Sequence, residues 1–358
     1  MLKNLTYNHK HNQPNQSTMS NKFWKSFTNV LHVLFDEIEI QQIVFTEAYT
    51  NSDDVELVNM LIDYTEIDPS VDNNFAICWA SQRGHIDVVN RLLQEDRVDP
   101  SVVDNYAIRY ASENGHIAVV DRLLQEPKNR VDPSVKNNYA IRHASVNGHI
   151  SVVNRLLQDG RVDPSVKNNS AIQCASENGH IAVVDRLLQE DRSKNQVDPS
   201  VNSNYAICMA SKNGHIAVVI RLLQDCRTDP SDYINYAIRM ASYYGHITVV
   251  DRLLQDGRVD PSADNNYAIY YASRNGYVDI VDRLLQEDRS KNRVDPSVLD
   301  NDAIRVASEF GHVDVVDRLL QDDRVDPSAL DNYPIRLAYK NGHIAVVNRL
   351  LQDPRCFI

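Results

Sequence analysis

The chain has 358 residues, 42% of them apolar, and a formal net charge of −12 at pH 7. That apolar share argues against wholesale disorder, while the acidic balance disfavours a protein whose main task is gripping a phosphate backbone. A membrane span needs about 18 or more apolar residues in a row, and no such run occurs.

Residues 1–20, MLKNLTYNHKHNQPNQSTMS, are polar, rich in Asn and Gln, and lack the apolar core of a secretory signal. They are read as a disordered polar tail. In residues 21–67, Phe23, Phe27, Leu31, Leu34 and Ile38 fall at near-helical spacing, and DDVELVNMLID (53–63) resembles a lone amphipathic helix. This segment is expected to be an N-terminal helical cap, with residues 39–67 a degenerate copy of the unit that follows. An alternative is that residues 21–50 form a second docking segment, as in an adaptor that recruits ubiquitin-ligase machinery.

From residue 68 to 353 one phrase recurs nine times. Asp-Pro-Ser begins at Asp68, Asp99, Asp132, Asp163, Asp198, Asp229, Asp260, Asp295 and Asp326, in steps of 31, 33 or 35 residues. Such a period marks a solenoid of stacked units. In copy two, Asn105 is placed to cap a first helix, whose Ile108 and Ala111 share a face. Asn114-Gly115 ends that helix, glycine being suited to a left-handed C′ position. Ile117, Val120 and Leu124 then line one face of a second helix, and the next Asp-Pro-Ser forces an extended turn. Insertions at Lys128-Asn129 and of the Ser193–Asn195 type precede Asp132, Asp198 and Asp295 and are expected to be surface loops. Residues 354–358 are a C-terminal tail.

The string YAIRYASENGH (106–116), followed by VVDRLL (119–124), resembles the ankyrin repeat, whose pattern is T-P-L-H-x-A-A-x-x-G-H…V-V-x-L-L-L. Copy nine even has the proline of that pattern, Pro334. The chain departs from it in replacing Thr mostly by Tyr, and the first His by Arg, Gln, Cys or Tyr. Most units are two residues short of the common length, which should shorten the hairpin finger. The resemblance implies an all-α ankyrin-repeat solenoid of helix–turn–helix units with short hairpin loops. It also implies a non-enzymatic scaffold that binds a protein partner through hairpin tips and first-helix surfaces. The Asn-rich, near-identical copies bear a faint stylistic likeness to ankyrin arrays of large DNA viruses and amoebal organisms.

Two recurring columns invite a chemical reading. His85, His116, His149, His180, His215, His246, His312 and His343 lie one copy apart, at a helix-packing distance of about 8–10 Å that cannot chelate one ion. The resemblance makes them hydrogen-bonding structural residues, and Tyr277 fills the column in copy seven. Nine second-helix arginines, Arg91 to Arg349, are expected to pack between units and pair with a neighbouring carboxylate such as an Asp of Asp-Pro-Ser. No nucleophile elbow, P-loop or HExxH motif is present, so neither a cofactor nor a small-molecule substrate is expected. The five cysteines, Cys78, Cys174, Cys208, Cys226 and Cys356, form no CxxC pair and read as free thiols of a reducing compartment.

The resemblance points to the positions around the hairpin and just ahead of Gly-His as the binding surface. There, copy six carries Tyr233-Ile234 and Tyr243-Tyr244, copy seven adds Tyr270 and Tyr271, and copy eight has Phe310. Exposed aromatic side chains are characteristic of binding hot spots. Tyr271 reads as core, because its column also holds Trp79, Met209 and Leu337. The candidate partner-binding residues are therefore Tyr233, Ile234, Tyr243, Tyr244, Tyr270 and Phe310, with Lys136 and Lys167 a secondary basic pair. The expected partner is a protein, with no nucleic acid or membrane. The chain itself is expected to be monomeric and cytoplasmic, in a host cell if viral.

Overall fold

The computed structural model describes residues 68–127, 130–189, 196–287 and 293–357. The expected tail, cap and second docking segment, and the insertions at 128–129 and 193–195, lie outside the described residues. The chain divides into two compact units, residues 1–140 and 141–358. Each is built from the same helix pair, as the resemblance implies, and no strand occurs among the described residues.

Copy six shows the pattern. Its first helix runs Asp232–Tyr244 and its second Ile247–Leu254. Ala237, Ile238 and Ala241 of the first and Val249, Val250 and Leu253 of the second are all fully buried. Burying each of the larger side chains contributes about 1.5–3 kcal/mol, so the apolar periodicity drives the two helices together. Gly245 ends the first helix in a left-handed conformation (φ 81°), where a side chain would be strained.

The shortened finger is a left-handed turn. In each copy the three residues ending at the recurring asparagine have φ between 50° and 63°. In copy six these are Tyr233, Ile234 and Asn235, with φ 50°, 57° and 54°. Asparagine tolerates this conformation, whereas a β-branched residue such as Ile234 or Val103 does not. Upstream, the Asp229 carboxylate accepts from both the Ser231 N–H (2.9 Å) and its Oγ–H (2.7 Å), which fixes the Asp-Pro-Ser turn.

The asparagine does not cap its helix. The Oδ1 of Asn204 accepts the backbone N–H of Asp229 in the next copy (2.8 Å), and that of Asn235 accepts from Asp260 (2.7 Å). In the first unit, Asn74 and Asn105 receive Asp99 and Asp132 in the same way, each at 2.8 Å. The expected local cap is thus an inter-copy clamp, and it explains why a polar side chain is buried at every stacking junction.

The histidine column is structural. His246 Nε2 lies 2.9 Å from the Lys212 carbonyl and His215 Nε2 2.9 Å from that of Glu177. A carbonyl only accepts, so the ring carries its proton on Nε2. The ring also sits flat on the preceding copy's glycine: a Cβ on Gly214 would lie 2.6 Å from His246 Nδ1. In copy seven Tyr277 covers Gly245 instead.

The second-helix arginines of copies five, seven, eight and nine pair with the preceding copy, though not with its Asp-Pro-Ser, while Arg91 and Arg122 pair with Glu95 and Glu126 of their own copy. Arg221 meets Asp185 at 2.6 Å, Arg283 meets Asp251 at 2.8 Å, Arg318 meets Asp282 at 2.5 Å, and Arg349 pairs with Asp317. Each carboxylate directly precedes the arginine of the previous copy. The ladder loses its carboxylate where Asn90, Asn154 and Ile220 replace that aspartate.

Candidate functional site

The first helices of copies six to eight carry the aromatic departures. Tyr233 and Ile234 project from the left-handed turn, 62% and 59% exposed. Tyr233 leans on Tyr236, ring centres 5.4 Å apart. At the other end of the same helix, Tyr243 and Tyr244 meet edge to face at 4.8 Å. Tyr243 also meets Tyr271 of copy seven at 5.1 Å, and Tyr271 packs on Tyr267 and Tyr270, each at 5.4 Å. The structure therefore gathers Tyr243, Tyr244 and Tyr270 into one run of rings, joined through Tyr271.

Tyr271 is half-buried, not core. The column it shares with the buried Met209 faces the edge of the junction, and a ring that large reaches its neighbours on either side instead of folding inward. Phe310 stands apart from the run, 44% exposed, with the Arg274 guanidinium 5.0 Å from its ring centre. Lys212 lies 5.7 Å from the ring centre of Tyr244. The surface thus combines phenol rings with two cations held by cation–π attraction. Tyr233 and Ile234 are not in contact with the Tyr243 run. The helical residues 236–242 lie between them, on the order of 10 Å.

The two lysines belong to different units. Lys136 is engaged by Asp104 within the first unit (2.7 Å), and Lys167 is exposed on the left-handed turn of copy four in the second.

Three features escaped the sequence reading. Tyr267 extends the ring run through Tyr271, which the sequence reads as core. Leu299 and Leu330 put further exposed apolar side chains, 50% and 49%, on the left-handed turns of copies eight and nine. Finally, an Asp-x-Arg pair ahead of Asp-Pro-Ser forms a fork: Arg227 holds both oxygens of Asp225 (2.9 and 2.6 Å) and donates to the Val197 carbonyl of the previous copy (2.7 Å). Arg258, Arg324 and Arg355 repeat the arrangement. The spacing of two was readable as a signal, since it recurs at Asp159, Asp225, Asp256 and Asp322 where no insertion intervenes, with Glu95 and Arg97 in its place in copy one.

The electrostatics separate scaffold from surface. The Arg227 fork holds the Asp225 carboxyl below the usual aspartate range, and Asp256, Asp322 and Asp353 are held down alike by their own arginines. Burial pushes the Cys78 and Cys208 thiols up to about 12, so neither is a ready nucleophile at neutral pH. Asp302 moves the other way from the forked carboxyls: burial raises it despite Arg305 nearby. No helix among the described residues is long and apolar enough to cross a membrane.

A family model of ankyrin repeats (three copies) matches residues 45–137, 108–198, 207–295 and 269–357. No curated protein matches the chain.

Proposed function

The chain belongs to the ankyrin-repeat family, and on that premise we propose that it acts by binding a protein partner through copies six to eight. Ankyrin repeats are general protein–protein interaction modules, and the repeated scaffold here uses its histidines, asparagines and paired arginines to hold copies together. What those bonds leave over is the aromatic surface. Its carrying observation is the exposure of Tyr233, Ile234, Tyr244 and Phe310 beside the continuous run Tyr244–Tyr243–Tyr271–Tyr270.

Tyrosine supplies a large, rigid contact area at low entropic cost and is enriched at hot spots. Leucine or isoleucine on a left-handed turn is unfavourable twice, once for backbone strain and once for exposure, and such strain gathers at functional sites. The reading needs no catalysis.

The test is affinity capture by the full chain and by a variant with alanine at Tyr233, Tyr243, Tyr244 and Phe310. The variant should keep its helical circular dichroism and lose the partner. Undiminished capture by the folded variant contradicts the reading.

A further inference from the structure

Each copy turns one face to the copy that follows it, and the junction of copies eight and nine shows what that face takes. Asn301 Oδ1 accepts the Asp326 N–H (2.7 Å). The His343 ring lies on Gly311, where a Cβ would sit 2.5 Å from its Nδ1. Ser308 is fully buried, as is the serine of its column in each of copies one to seven.

Among the described residues nothing covers the same face of copy nine. Asn332 Oδ1 is buried yet accepts no hydrogen bond, and nothing lies within 4 Å of a Cβ on Gly342. Ile335 and Val347 are only half-buried, although the isoleucine and valine of their columns are fully buried in copies one to eight. Ile344 and Leu351 are exposed. Tyr339 stands in the serine column and is 73% exposed. A further copy stacked in the same register would have to bury that ring where eight copies bury only a serine hydroxyl, and such overpacking is destabilising. Head-to-tail stacking onto a second molecule meets the same obstacle.

We propose that this face of copy nine pairs with the same face of a second copy of the chain, about a two-fold axis. A two-fold contact needs a surface that complements itself, so that what projects from it meets a recess on the same surface. Tyr339 projects, and Gly342, three residues along, is the recess. The junction of copies six and seven shows that such a glycine accepts a phenol: Tyr277 covers Gly245, where a Cβ would sit 2.6 Å from its Cε1. In the pair, each Tyr339 ring lies on Gly342 of the other molecule. Ile344 and Leu351 leave water with it, adding apolar area of the kind that homodimer interfaces bury. The exposed Arg336 and Lys340 have stems long enough to keep their charges in solvent. Where the sequence leads one to expect a monomer, the chain is then monomeric, with Gly342 uncovered, only in dilute solution. The contact does not involve copies six to eight, and the partner-binding reading stands or falls without it.

The test is sedimentation velocity on the full chain over a series of concentrations. The mass should rise from one chain to two and stop there, since a two-fold contact closes. Tyr339→Ser restores the residue of the other eight copies and should raise the dissociation constant about tenfold or more, as loss of a central aromatic anchor does. Ile344→Asp should do the same, and circular dichroism should show both variants helical. Tyr233→Ala, on the turn of copy six, should leave the dimer unchanged. A monomer at every concentration overturns the proposal, as does growth beyond two chains. A dimer that persists undiminished in both folded variants, or one that Tyr233→Ala dissociates, puts the contact on another face and overturns it too.

Discussion

Replacing Gly214 by alanine tests how neighbouring copies are locked. Gly214 has φ 77°, and an added Cβ would lie 2.6 Å from Nδ1, 2.7 Å from Cε1 and 3.0 Å from Cγ of His246. The left-handed backbone alone costs a residue with a Cβ about 1–2 kcal/mol. The ring can retreat only by stretching its 2.9 Å bond to the Lys212 carbonyl, which forfeits about 0.5–1.5 kcal/mol more. The expected loss is therefore roughly 1.5–3.5 kcal/mol, read as a fall in the urea midpoint by circular dichroism. Two comparisons separate the causes. Gly342 has φ 78° but nothing within 4 Å of a Cβ, so Gly342→Ala should show the backbone cost of about 1–2 kcal/mol without the steric one. Gly160 and Gly257 lie outside the left-handed region with open space around them, so alanine there should be neutral or stabilising by up to about 1 kcal/mol. Equal losses at Gly214 and Gly342 would refute the role given to the histidine ring. No loss at either would refute the backbone argument as well.

Val103 is β-branched, exposed and at φ 50°, so Val103→Asn should raise the melting temperature through a gain of about 1 kcal/mol; a fall would count against strain in the turn. Asp225 is held below the ordinary aspartate range by Arg227, so its contribution to stability is complete above that range and is lost as pH falls through its lower folded value. Asp225→Asn should thus destabilise the chain at neutral pH and flatten its acid dependence, as followed by urea midpoints across that range. Cys226 is exposed while Cys78 and Cys208 are buried thiols raised to about 12. A maleimide probe followed by mass spectrometry should therefore label Cys226 well before those two.

The helix pairs were legible because their signals are local: Ile108 with Ala111, Gly115 after Asn114, and Val120 with Leu124 all lie within one unit. The roles of Asn105 and of the arginines were not, for a shared reason. The Asn105 side chain bonds a backbone N–H 27 residues away, and Arg221 meets a carboxylate 36 residues away. Only the register between stacked copies determines those partners, and a window of one unit does not contain it. The left-handed turn was hidden differently. Val103, Tyr233 and Leu299 are residues that avoid positive φ, so their chemistry argues against the conformation that the short period imposes. At the candidate surface, the aromatic positions could be found by comparing copies, whereas Tyr271 was misplaced because its column mixes buried and half-buried members.

The most direct measurement is amide hydrogen exchange on the full chain with and without its captured partner. The account predicts added protection concentrated in the first helices and turns of copies six to eight, residues 231–246, 262–277 and 297–312, with little change in copies two to four. Protection confined to copies two to four, or spread evenly over all nine, would contradict it.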